Sequence, residues 1–275
     1  MKGTTMGLQA NDPAISSSGI RKETGGLSRD AIKYIAAAAM LLNHIANVFL
    51  PEYDPVGEVL KGIGYFTAPS MIYFLVEGYH YTSSKKRYFF RLLLFAVISE
   101  FPFCFALGLG MDGRVNFVGF NMLFSLSLCF GLIWIEENVR SIIARALAYI
   151  VIFSVSMLCD WFFFAPVFTL LFLHGWIMSG GNPASGQIRK AFSIAAVLFG
   201  VYNYLGITSY TGTFSAAALA YGLINMSGVA LAGVCIVKYY NGRRSERGKN
   251  FSKWFFYIFY PAHLAVLGLI KLAAM

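Results

Sequence analysis

Long apolar runs broken by short polar punctuation fill the chain from residue 27 onward. About 20 residues of helix are needed to cross the hydrocarbon core of a bilayer. Nine segments approach that length: 31–50, 62–81, 88–109, 117–136, 141–159, 161–179, 190–209, 213–237 and 253–273. The pattern predicts an all-α polytopic membrane bundle of about nine transmembrane helices, and the tight Cys159-Asp160-Trp161 junction also admits eight or ten. Residues 1–26, rich in Gly, Ser and Thr, predict a polar mobile tail with no cleavable signal segment. Residues 27–275 predict a single transmembrane helical domain.

Composition supports this reading. Of 275 residues, 57% are hydrophobic and 13% charged, against roughly 45–50% and about 25% in soluble domains. A net charge of +9 would suit nucleic acid, but the placement of the charges points to the lipid bilayer instead. With the N-terminus cytoplasmic, every Lys and Arg except Lys61, Arg114 and Lys271 falls on the cytoplasmic side, as topology in membranes requires. A bacterial inner or plasma membrane is the expected location. The cysteines (Cys104, Cys129, Cys159, Cys235) sit in apolar runs with neither metal-site nor disulfide spacing. No metal is expected, and the lack of a Walker motif speaks against an ATP-driven pump.

Few ionisable side chains lie within the runs: His44, Glu77, Glu100, His174 and His263, with Asp160 at a boundary. Each costs about 2.5–3.5 kcal/mol near a helix centre on insertion scales, so each needs a partner or a wet cavity. His44 lies about 20 Å into its helix at roughly 1.5 Å per residue. Imidazole is suited to taking and returning a proton; a neutral histidine satisfied by a neighbouring helix is the plainer alternative. Glu100 sits beside Pro102, which frees a carbonyl and opens the helix; it can orient a histidine or pair with Arg91. Tyr260 and His263 share a helix face. Asn116, Asn121 and Ser125 supply amides and a hydroxyl that serve as interhelical glue or as donors to a reacting oxygen. Glu77 and His174 are expected at a wet inner interface, and Glu52, Asp54 and Glu58 on a solvated outer loop. Lys85, Lys86, Arg87 and Arg91 form a basic collar that attracts phosphates. The linker 238–253 is a second basic stretch, suited to anionic lipid or a phosphorylated ligand.

Several blocks resemble the TraX family. Leu27-Ser-Arg-Asp-Ala-Ile-Lys-Tyr-Ile-Ala leads to Met40-Leu-Leu-Asn-His44, similar to the family's Met-x-x-Asp-His motif. Gly64-Tyr-Phe-Thr-Ala-Pro69, Phe74-Leu-Val-Glu-Gly78, Tyr88-Phe-Phe-Arg-Leu92, Ser99-Glu-Phe-Pro102, Asn121-Met-Leu-Phe-Ser-Leu126 and Phe259-Tyr-Pro-Ala-His-Leu264 continue the match. Asn43 stands where the family has Asp, and Tyr65 where it has Arg.

The resemblance implies an integral membrane acyltransferase that takes acetyl from cytoplasmic acetyl-CoA. It makes His44 the general base; the residues read for themselves offer Glu100 or His263 to orient it or relay protons, and Asn121, Ser125 and Tyr260 as oxyanion donors. The phosphates of the donor are expected at Lys85, Lys86, Arg87 and Arg91. The acceptor is an amine or hydroxyl of a peptide N-terminus, a glycan or a small molecule, and the reading leaves room for a homodimer. An acetyl-histidine intermediate is an alternative route. Two other classes stay open: a proton-coupled transporter with Glu100, His44 and His263 as relay, and a non-catalytic scaffold.

Overall fold

The computed structural model describes residues 25–245 and 249–275; the tail at 1–24 and Arg247 lie outside the described residues. The chain is helical in the order α1 (Arg29–Phe49), α2 (Pro55–Gly64), α3 (Thr67–Tyr81), α4 (Lys85–Gly108), α5 (Met122–Asn138), α6 (Ile142–Ser156), α7 (Phe164–Met178), α8 (Gly186–Thr211), α9 (Ala216–Val234) and α10 (Lys249–Ala273), with a π turn at Cys235–Tyr239 continuing α9. Helix starts are chemically marked. Ser28, Asp54, Ser84, Asn121, Ser141, Ser185 and Ser215 each accept a backbone N–H of the first turn, satisfying donors that lipid cannot.

Among the described residues, six rods are long and apolar enough to cross a bilayer: Arg29–Phe49, Pro55–Tyr81, Lys85–Gly108, Gly186–Thr211, Ala216–Tyr239 and Trp254–Ala273. The other three apolar helices, α5 to α7, are shorter than the sequence pattern predicts, at 17, 15 and 15 residues. The missing length is non-helical backbone that pairs with itself. Phe120 N–H donates to Leu158 O at 2.8 Å, and Asp160 N–H to Phe120 O at 2.6 Å, so both connections are satisfied without helix.

The second span also differs from expectation. It begins at Pro55 and breaks at Tyr65–Phe66, where Pro69 in the first turn of α3 has no N–H for the Tyr65 carbonyl. Glu58, expected on a solvated loop, is therefore carried inward and is 3% exposed. Its carboxylate meets Lys61 Nζ at 2.9 Å and accepts from Asn225 Nδ2 at 3.3 Å.

The helix α3 forms the centre, with Ile72 to Tyr79 all buried, and α1, α5, α7 and α9 pack around it. α10 closes against α1 and α4. Glycines set the closest crossings. A Cβ on Gly228 of α9 would overlap the Gly62 carbonyl oxygen of α2, and one on Gly64 would overlap the Asn43 side chain of α1. These contacts fix α2 between α1 and α9. Gly228→Leu is expected to lower the apparent Tm of the detergent-solubilised protein, at a cost of about 1–3 kcal/mol. Gly131→Ala, where nothing lies within 4 Å of the added carbon, serves as control; equal melting of the two variants would contradict the packing.

Candidate functional site

One face of α1 is a stripe: Arg29, Lys33, Ala37, Met40, His44 and Asn47, spaced by three or four residues, all line one cavity. The other walls come from α3, α4, α10, the start of α5 and the Asp160-Trp161 turn. The space is about 1080 Å³, within reach of a substrate-sized molecule. It runs from a cationic end at Arg29, Arg91 and Arg244 to an amide, acid and aromatic end at Asn43, Asn47, Tyr65, Asp160 and Trp161.

His44 sits on this wall, 6% exposed, and His263 of α10 stands behind it. His44 Nδ1 and His263 Nε2 are 2.8 Å apart, with the rings stacked at 5.0 Å and 27°. The next link fixes the tautomers. His263 Nδ1 is 2.7 Å from the Phe259 carbonyl oxygen, which can only accept, so Nδ1 carries the proton. The Nε2 of neutral His263 is then a lone pair, and His44 Nδ1–H donates to it. His44 Nε2 is left as the unprotonated nitrogen of a residue on the cavity wall. That is the form a general base requires. Tyr260 lies beside the pair, 6.4 Å from the His44 ring centroid. Its hydroxyl accepts Met122 N–H at 3.3 Å, and the ring lines the cavity.

The remaining candidates fall into two groups. Glu100 and Asn121 join α4 to the start of α5. The Glu100 carboxylate accepts from Asn121 Nδ2 at 2.7 Å and Asn121 N at 3.2 Å, while Asn121 Nδ2 also reaches the Ala96 carbonyl at 2.7 Å. Asn121 Oδ1 caps Leu123 N–H, and Ser125 Oγ donates to the Asp160 carbonyl oxygen. Among the described residues no hydrogen bond joins Glu100 to either histidine. Of the basic collar, Arg91 lines the cavity and donates from Nε to Tyr257 OH at 3.0 Å. Lys85, Lys86 and Arg87 are exposed and not part of its wall; Lys85 pairs with Glu137 at 3.2 Å. Glu77, expected at a wet interface, is 4% exposed; its carboxylate accepts from Tyr240 OH at 2.8 Å and lies 3.5 Å from Arg29 Nε. His174 is exposed.

At the far end, the Asp160 carboxylate accepts its neighbour's backbone Trp161 N–H at 3.0 Å. Asp160 lies on the connection between α6 and α7, outside the spanning helices, and burial pushes its carboxyl up to about 6. Trp161 adopts a left-handed backbone, φ 62°, and is held there by stacking on Phe199 at 5.1 Å and 9°. Strained backbone of this kind gathers at functional sites.

Sequence reasoning counted Arg29 and Lys33 only as topology charges and placed Arg244 in a basic linker suited to anionic lipid or a phosphorylated ligand. The signal that finds the first two is the α1 stripe itself, which repeats at helical spacing from Arg29 to Asn47. Arg244 has no such signature: it reaches the cavity because Leu27 N–H donates to Tyr239 O at 2.7 Å and Arg29 N–H to Arg243 O at 2.8 Å. Those bonds stitch the linker after α9 onto the start of α1.

These features define a class: a polytopic helical membrane protein with a histidine pair on an internal cavity that is cationic at one end. The TraX protein family matches residues 28–271, so the chain belongs to the TraX family. It is also similar to the "Probable fimbrial assembly protein FimC, serogroup H1" of Dichelobacter nodosus, 27% identical over 240 residues, covering 86% of this chain and 92% of that protein. No solved structure matches it.

Asn121→Ala removes a cap and leaves the Glu100 carboxylate without its amide partner. It is expected to cost about 1–3 kcal/mol, read as a lowered apparent Tm, while Asn116→Ala, which loses one hydrogen bond to the Gly108 carbonyl at an exposed site, costs less, about 0.5–1 kcal/mol. Equal effects would contradict the latch. The raised Asp160 carboxyl predicts that its contribution to stability is fully present below its ordinary value of 3.8 and lost as pH rises through about 6. Melting curves across that window should fall for the native chain, and that component should be missing in Asp160→Asn. An identical pH profile in both would contradict the assignment.

Proposed function

We propose that this TraX-family membrane protein is an acetyltransferase that moves acetyl from cytoplasmic acetyl-CoA to an amine or hydroxyl acceptor. The observation that carries the reading is the His44–His263 pair, which leaves His44 Nε2 as a lone pair on the wall of a cavity open to a cationic end. The cationic end faces the cytoplasm, with the N-terminus on the same side, in a bacterial inner or plasma membrane. The donor enters there, and the acceptor approaches from the Asp160-Trp161 end. The relative named as a fimbrial assembly protein makes a fimbrial subunit one acceptor to try first.

In the transfer, the acceptor's nucleophilic atom forms a bond to the thioester carbonyl carbon as His44 Nε2 takes its proton. The charge that arises on His44 is shared through Nδ1–H with His263 Nε2. Tyr260, whose oxygen accepts from Met122 N–H, has its own hydroxyl proton to offer the developing oxyanion. Collapse breaks the carbon–sulfur bond, and the CoA thiolate leaves with the proton from His44. Holding donor and acceptor in one cavity supplies the proximity that such a step needs.

The test is transfer of radiolabelled acetyl from acetyl-CoA by purified protein into co-incubated membrane, glycan and peptide fractions. His44→Ala is expected to lower the rate by about 10²–10⁴-fold while keeping the fold, judged by an unchanged elution profile. His263→Ala is expected to lower it less. Wild-type transfer by His44→Ala would falsify the assignment. Flux of a small molecule through proteoliposomes without acetyl-CoA would favour the transporter reading instead.

A further inference from the structure

The inner end of the cavity carries more positive charge than its carboxylates can balance. Arg29 and Lys33 lie one turn apart on α1, Arg91 on α4 and Arg244 on the linker after α9, and all four line the cavity. Two carboxylates face them. Asp30 accepts from Ser245 N–H at 2.9 Å, and Glu77 is held by Tyr240 and Arg29. Arg29 and Lys33 lie 5.4 and 5.9 Å from the same Phe74 ring, which also lines the cavity, so these cations share one space. Uncompensated charge in a low-dielectric wall is costly unless an anion joins it.

Two buried donors point the same way. Ser252 of α10, 3% exposed, lines the cavity, and its Oγ meets no hydrogen-bonding partner among the described residues. Arg29 Nε also makes no hydrogen bond, its ion pair with Glu77 being long at 3.5 Å, while Nη2 donates to the Phe74 carbonyl at 2.8 Å and holds the guanidinium in place. Gly78 leaves the room: a Cβ there would stand 2.9 Å from Arg29 Nη2 and 3.2 Å from Tyr88 OH. Tyr88 and Tyr257 each lie 5.4 Å from the Arg91 guanidinium, flat surfaces beside the cations.

We infer that Arg29, Lys33, Arg91, Arg244 and Ser252 form the binding site for the nucleoside-phosphate part of the donor, in place of the Lys85-Lys86-Arg87 collar, which lies off the cavity wall. The inference rests on the donor assignment made above. Spacing agrees with it. Lys33 and Arg29 lie roughly 16 and 22 Å from His44 along α1, at about 1.5 Å per residue. A pantetheine arm, about five residue-equivalents of extended chain, reaches on the order of 17 Å. With phosphates at the cluster, the thioester arrives at His44.

The experiment is displacement of radiolabelled acetyl-CoA from full-length protein in nanodiscs of zwitterionic lipid. Adenosine 3′,5′-bisphosphate is expected to displace it at concentrations about tenfold below those of pantetheine, and less well as salt is raised. Arg244→Gln and, separately, Lys33→Met are expected to weaken acetyl-CoA about tenfold and to erase that preference. The Arg244 change lies on a linker rather than in a helix, so folding is not at stake in both. Unchanged acetyl-CoA binding in both variants overturns this inference and leaves the donor assignment intact. Absence of acetyl-CoA binding in the native chain overturns both. In discs containing phosphatidylglycerol, binding is expected to persist; its loss would show that the cluster takes lipid headgroups and overturn the inference.

Discussion

A hydrogen bond between two imidazoles holds the functional arrangement together. His44 and His263 come from helices at opposite ends of the chain, α1 and α10, and each is almost wholly removed from solvent. In hydrocarbon an unmatched ring nitrogen is costly, so each histidine needs the other. The Phe259 carbonyl sets the direction of the whole chain of donors. From one carbonyl it follows which nitrogen of His263 is protonated, which of His44 donates, and which is left as a base on the cavity wall. Chemistry at the site is thereby decided by backbone geometry one turn away.

The rest of the bundle can be understood as support for that cavity. α3 is buried from Ile72 to Tyr79 and cannot move without disturbing α1, α5, α7 and α9. Glycine crossings at Gly62, Gly64 and Gly228 bring α2 against α1 and α9. At one end the Glu100–Asn121 latch fixes the start of α5, and with it the Met122 N–H that Tyr260 accepts. At the other, the π turn and the Leu27–Tyr240 bridge place the linker over the cationic mouth.

Much of this was legible in the chain. Apolar run lengths located five of the six long rods to within a few residues, the second starting earlier, at Pro55, because a bilayer imposes length directly on sequence. His44 was conspicuous because an ionisable group in an apolar run has few explanations. Other features depend on contacts between distant segments. Glu58 reads as a loop carboxylate until the helix from Pro55 carries it against Asn225. Glu100 reads as a partner for a histidine until Asn121 is seen to bond its Oε2 twice, with Cys104 Sγ on Oε1. The ends of α5 and α6 read as helix because Phe120 and Leu158 are apolar, although their backbones pair with each other. Arg29 and Lys33 were visible as charges, but a positive-inside count assigns every cytoplasmic cation the same role. Only the stripe they share with His44 separates them from Lys85 and Lys86.

The central claim is that His44 presents an unprotonated Nε2 because His263 accepts from its Nδ1. Nitrogen-15 spectroscopy of histidine-labelled protein in nanodiscs tests this directly, with His44 assigned by comparison with a His44→Gln sample. The account predicts a neutral His44 with the proton on Nδ1, a bare Nε2, and a coupling across the hydrogen bond to His263 Nε2. A His44 protonated on Nε2, or one with no coupling to His263, would contradict it.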